Sequence, residues 1–316
     1  MSRFKGLPAN YDPWLALSLR ESPEGGRLTG KVICDPASPP SAAHEMIILV
    51  HGFNNHMGEA GESYQAFRDR QYPLNQVVPP ALEGLLGDLF WPGDAAGWGI
   101  FDVADFLVYP EAVNIAPAAG ERLADYINSL PNLRLVHFVG HSLGCRVVLE
   151  CMAHVNRKVG RVVLMAAAVP AFMVAEGGTL ASSVQGAESV LVLHSKSDKV
   201  LLLAFPPGQT IAGAGEGILP VALGRYGPPA GMPGRHDDYP IPGADHGDYW
   251  GTRTNKNSEE TPRNVVAGHI ADYLKLGQLS RQAGASRAPA SKTLAGYSRQ
   301  SADDRVIPRR EISGRT

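Results

Sequence analysis

Gly140-His141-Ser142-Leu143-Gly144 sets a serine between two glycines, after the apolar run LRLVHFVG and before SLGCRVVLECMAHV. A strand, a sharp turn and a helix form the context in which G-x-S-x-G presents a nucleophilic hydroxyl. The glycines have a steric reason, since a side chain two positions either way would meet the neighbouring strand or helix. The following helix also aims its N-terminus at the serine, which favours negative charge there. Ser142 is the candidate nucleophile.

An activated serine needs a base, and the base needs an orienting acid. On such a fold the acid follows the nucleophile and the histidine comes last. Asp198, in SKSDKV, falls just past the run SVLVLHS, where open parallel sheets gather functional groups at strand ends. A plain turn residue would read the same way. The other acid in range, Glu176 in AAAVPAFMVAE, is remote from its strand end. Three histidines follow Asp198: His236, His246 and His269. His246, in the glycine-flanked GADHGDYW, is preferred. His236 precedes it in GRHDDYP, and His269 lies in an amphipathic stretch where a packed helix residue is expected.

Acyl transfer also needs donors for an oxyanion. HGFNN, residues 51–55, follows the apolar run EMIILV. It offers the N–H of Phe53, to pair with the N–H of Leu143 after the nucleophile. His51 and Asn54 would brace that turn. The acidic cluster Asp237, Asp238, Asp245, His246 and Asp248 lacks metal-ligand spacing. AGAGEG, residues 212–217, lacks the lysine and hydroxyl of a phosphate loop. The tryptophans of WPGD and DYW are expected to plug the core. The chemistry calls for no cofactor and no metal.

These residues need elements to hold them. Continuous apolar runs at EMIILV, LRLVHFVG, GRVVLMAAAV and SVLVLHS read as strands buried on both faces. Helical spacing recurs around ESYQAFRDR, in APAAGERLADYINSL up to Pro131, after Ser142, and in NVVAGHIADYLKL. DLFW reads as a further strand end, and FDVADFLVY is ambiguous between strand and loop. The alternation predicts an α/β fold with a mostly parallel sheet covered on both faces. Residues 1–44 read as a loop-rich extension with one strand at LTGKVIC, and 45–277 as the catalytic domain. Within it, 204–245 is expected to form a lid or insertion, with a short strand at LPVALGR. Residues 278–316 read as a disordered tail.

Composition narrows the function classes. The 316 residues are 44% hydrophobic with a net charge of −2, which suits neither nucleic acid nor an anionic membrane. The tail carries eight Lys/Arg against three acids, so it is +5 and the remainder −7; it would suit an acidic partner. Three cysteines, Cys34, Cys145 and Cys151, form no disulfide or metal pattern. MSRFKGLPANYDPW lacks a signal-peptide pattern, and the apolar runs are too short to span a bilayer. A cytoplasmic location is expected.

The sequence resembles the α/β-hydrolase superfamily over about residues 45–276. HGFNN resembles the oxyanion turn of its lipases and esterases, and GHSLG their nucleophile turn. It is also similar to a group of bacterial members that share HGFN, a WP-small-Asp strand end (FWPGD), GHS-x-G, S-x-x-D (SKSD) and a late H-x-x-Y (HGDYW). That likeness implies Ser142, Asp198 and His246 as a triad, with Phe53 and Leu143 as hole donors. Where the group carries an acidic turn after the strand at 162–168, this chain reads AAAVPAF. The implied activity is serine-dependent hydrolysis of a small-molecule or lipid carboxylic ester. Phospholipase or thioesterase activity would use the same triad, and a non-catalytic binding protein of the same fold is the alternative from another class.

Overall fold

The computed structural model describes residues 4, 7, 11, 13–22, 25–36, 43–53, 56–76, 85–93, 105–212, 220–250, 262–276 and 278. Its centre is an eight-stranded sheet. In chain order the strands are β1 (Leu15–Ser22), β2 (Gly25–Asp35), β3 (Glu45–Val50), β4 (Leu86–Phe90), β5 (Leu135–His141), β6 (Lys158–Met165), β7 (Ala187–His194) and β8 (His236–Pro240). They lie side by side as β2-β1-β4-β3-β5-β6-β7-β8. Only the β1/β2 pair is antiparallel; every other pairing is parallel. This is the α/β-hydrolase fold.

Parallel neighbours need crossovers, and helices supply them. The longer ones are α1 (Met57–Leu74), α2 (Asp105–Ser129) and α3 (Gly144–His154), followed by the short α4 (Ala171–Val174) and α5 (Ala181–Gly186). Then come α6 (Lys199–Leu203), α7 (Phe205–Ala212), α8 (Leu223–Tyr226) and the closing α9 (Pro262–Leu274). α1 packs on α9, while α2, α3 and α5 form a second contiguous layer. Strands β3, β4 and β5 lie between these layers and are buried almost throughout, which is why their sequences are apolar on both alternations. The chain leaves β3 to one side for β4 and returns to its other side for β5. That reversal opens a crevice at the strands' C-terminal ends.

Several local expectations need correction. Residues 1–44 are not a loop-rich extension: β1 lies inside the sheet between β2 and β4, with its first six residues buried. Buried Ser18 and Arg20 break up the apolar run that would have marked it. The strand expected at LTGKVIC lies within the longer β2. The described part of FDVADFLVY opens α2, which carries Pro110 and Pro117 within it. Packing of α2 on α3 overrides the prolines that point to a later start.

The 204–245 segment is not wholly an insertion, because β8 within it is the sheet's last strand. As an edge strand its side chains are largely exposed, so HDDYP shows no apolar pattern. LPVALGR forms a single bridge, Ala222 to Pro170, and then the helical turn α8. AGAGEG after Ala212, Asn54, Asp94 and the tail beyond 278 lie outside the described residues.

Candidate active site

β5 ends and α3 begins within three residues, and Ser142 occupies the corner with φ +52°. That left-handed conformation is unfavourable for a residue with a Cβ and persists only where surroundings hold it. Here the Ser142 N–H donates to the Met165 carbonyl at the end of β6, 2.9 Å. Its own carbonyl accepts from Cys145 and Ala168, each 3.1 Å. Gly144 lets the turn approach β3: a Cβ there would sit 2.2 Å from the His51 carbonyl oxygen. Leu143 is the N-cap of α3, so its N–H precedes the helix ladder.

Asp198 follows β7 and is the N-cap of α6. One carboxylate oxygen accepts from the Leu201 N–H at 2.9 Å, and the other lies 2.7 Å from His246 Nδ1. The carboxylate is fully buried. Arg225 of α8 donates to the Asp198 carbonyl, 2.7 Å, fixing the loop from behind. His246 opens a 3-10 turn, His246–Asp248, whose ends are closed by reciprocal bonds between Asp245 and Asp248. Arg263 of α9 pairs with Asp248 at 2.7 Å.

These supports bring His246 Nε2 to 2.9 Å from Ser142 Oγ. With Nδ1–H donating to Asp198, the neutral ring leaves Nε2 free to accept the serine proton. His236 instead starts β8, with Nδ1 3.3 Å from the Gly234 carbonyl. His269, on α9, stacks against Tyr239 with ring centres 4.1 Å apart. Neither joins Ser142.

The HGF turn is braced by His51. The Trp91 N–H donates to His51 Nε2 at 3.3 Å, so Nδ1 carries the proton and donates to the Gly52 carbonyl, 2.8 Å. The indole N–H of Trp91 donates to the His51 carbonyl, 2.8 Å. Burial, then the charge of Arg20, lowers the His51 pKa to about 3, so the ring stays neutral. The Phe53 ring meets Tyr109 edge-on at 5.3 Å. Trp91 and Trp250 are both buried, as core plugs would be.

Sequence reasoning missed three supports: Arg225 behind the acid, Arg263 under the histidine turn, and His141. The His141 ring reaches the His246 backbone, Nε2 to carbonyl oxygen 2.9 Å. No local pattern signals any of these contacts, since each joins distant segments. Among the described residues, no group of three or more His, Cys, Asp or Glu is placed to hold a metal ion. No helix among them is long and apolar enough to cross a membrane.

No family model matches the chain, and no curated protein matches it. Among solved structures, an uncharacterized protein from Bacillus cereus ATCC 10987 is similar at 14% identity and a TM-score of 0.37. The match covers 75% of this chain and 61% of that one, so the chain spans about three fifths of its length. A predicted CIB-like hydrolase from Thermoplasma acidophilum is similar at 14% identity and a TM-score of 0.36, over 75% of this chain and 89% of that one. An esterase from Exiguobacterium antarcticum is similar at 13% identity and a TM-score of 0.33, over 74% and 92%.

Proposed function

We propose that the chain is a serine hydrolase that cleaves a carboxylic ester through an acyl-enzyme. The observation that carries this reading is the continuous relay from Ser142 Oγ to His246 Nε2, 2.9 Å, and from His246 Nδ1 to Asp198 Oδ2, 2.7 Å. Ser142 Oγ attacks the acyl carbon while its proton passes to His246 Nε2. Asp198 stays ionised, holds the tautomer and stabilises the imidazolium. The N–H groups of Phe53 and Leu143 receive the oxyanion, with the N-terminal end of α3 adding positive potential. His246 then gives the proton to the departing alkoxide, which leaves as the alcohol. Water attacks the acyl-enzyme with His246 again as base, which releases the acid and restores Ser142.

The same relay serves a phospholipid or thioester, so the acyl group is the part of the reading that the triad leaves open. The test is labelling by a fluorophosphonate together with turnover of p-nitrophenyl esters, with Ser142→Ala as control. Labelling and turnover that vanish in Ser142→Ala support the proposal. Folded wild-type protein that neither labels nor turns over overturns it and favours a non-catalytic binding protein.

A further inference from the structure

His141 precedes the nucleophile in sequence, yet its side chain serves the histidine on the facing loop. Because its partner is a carbonyl, Nε2 carries the proton and donates to His246 at 2.9 Å. The two imidazoles lie 5.0 Å apart, centre to centre, and the His141 ring also lies 6.1 and 5.9 Å from the rings of Tyr249 and Trp250. The residue is buried, and burial followed by the neighbouring His246 lowers its pKa to about 3. It therefore stays neutral down to about pH 3.

The other ties of this loop do not reach the His246 carbonyl. Asp245 accepts the His246 N–H at 3.0 Å, and Arg263 holds Asp248. His141 alone among the described side-chain bonds holds the carbonyl of His246. The imidazole of His246 hangs from that backbone, so its height over Ser142 Oγ follows the carbonyl's position. A misplacement of about 1 Å costs on the order of 10²-fold in rate.

We propose that His141 is a positioning residue. By donating from Nε2 to the His246 carbonyl, it ties the nucleophile turn to the loop that carries the base. The inference rests on the Ser142–His246–Asp198 reading for its kinetic consequence, and on geometry alone for its structural one.

The experiment compares the full chain with His141→Phe, which keeps a ring but loses the donor, and His141→Gln, whose amide can replace it. Turnover of p-nitrophenyl butyrate, melting temperature and hydrogen exchange of residues 245–250 are measured on each. The Phe variant should lose roughly 10–100-fold in kcat with KM within about twofold, and Gln should recover most of that loss. Exchange of 245–250 should rise in Phe and return in Gln. If Phe folds poorly, His141→Met takes its place against Gln. Wild-type kcat in the donor-less variant, or a Gln variant no better than Phe at equal melting temperature, overturns the proposal. Should wild-type protein itself neither label nor turn over, only the triad reading falls. The exchange result then decides: faster exchange without the donor supports the tether, and unchanged exchange refutes it.

Discussion

Gly52 and Ser142 approach so closely that a Cβ built on Gly52 would lie 2.8 Å from the Cβ of Ser142. The HGF turn is therefore packed directly against the turn that carries Ser142. Gly52→Ala must push the HGF turn away from Ser142 and carry the Phe53 N–H with it. Loss of one such donor costs about 10²–10³ in kcat. We expect a fall of that size in ester turnover, with a modest drop in melting temperature. Wild-type kcat in Gly52→Ala would separate this turn from the chemistry.

Asp198 divides its two oxygens between a helix cap and the His246 ring. Asparagine is as good an N-cap as aspartate, but it cannot stabilise an imidazolium. Asp198→Asn is thus expected to keep stability and lose on the order of 10⁴ in kcat. Asp198→Ala should lose both, with about 1 kcal/mol off the stability from the missing cap. Urea unfolding alongside turnover distinguishes the two roles. Equal stability of the Ala and Asn variants would remove the capping role.

Tyr11, just ahead of β1, is tied to the centre through a buried ion pair between α1 and β4. Asp88 of β4 is fully buried and accepts from Arg68 of α1 at 2.7 Å and from the Tyr11 hydroxyl. Removing one partner of such a pair strands the other charge, which costs about 3–5 kcal/mol. Arg68→Met should lower the urea midpoint accordingly. Deleting residues 1–44 removes Tyr11 together with β1 and its buried Leu15, Leu17 and Leu19. We expect that product to be insoluble or unfolded by circular dichroism, and a folded, cooperative product would count against the strand's role.

Legibility from sequence followed range. Ser142 could be read because strand, turn and helix are consecutive, and Asp198 because it follows a strand with an apolar centre. His246 could be preferred among three histidines, but only the folded chain brings it, and neither His236 nor His269, to Ser142. β1 stayed hidden because Ser18 and Arg20 point inward, with Ser18 Oγ accepting the Arg20 N–H. β8 stayed hidden for the opposite reason, as an exposed edge needs no apolar side chains. Arg225, Arg263 and His141 act across the fold, where periodicity and spacing carry no information.

The two buried histidines at the site make a prediction about acid stability. His51 and His141 have pKa values of about 3 in the folded chain, lowered first by burial. An unfolded histidine titrates near pH 6.5. Between these values the unfolded chain binds protons that the folded chain refuses, so stability rises with pH across the window. It is fully present above about pH 6.5 and is lost as pH falls toward 3, at up to about 1.4 kcal/mol per pH unit for each ring. Between pH 6.5 and 4.5 most carboxylates remain ionised, so the histidine contribution can be isolated there. The urea midpoint should fall steadily over that range, and His141→Gln should flatten the slope by about one proton's worth. A midpoint independent of pH from 6.5 to 4.5 would mean that both rings accept a proton without unfolding, and a slope of about one proton that one of them does. For His141 that would also place a charge beside His246, and ester turnover should then fall in the same pH range.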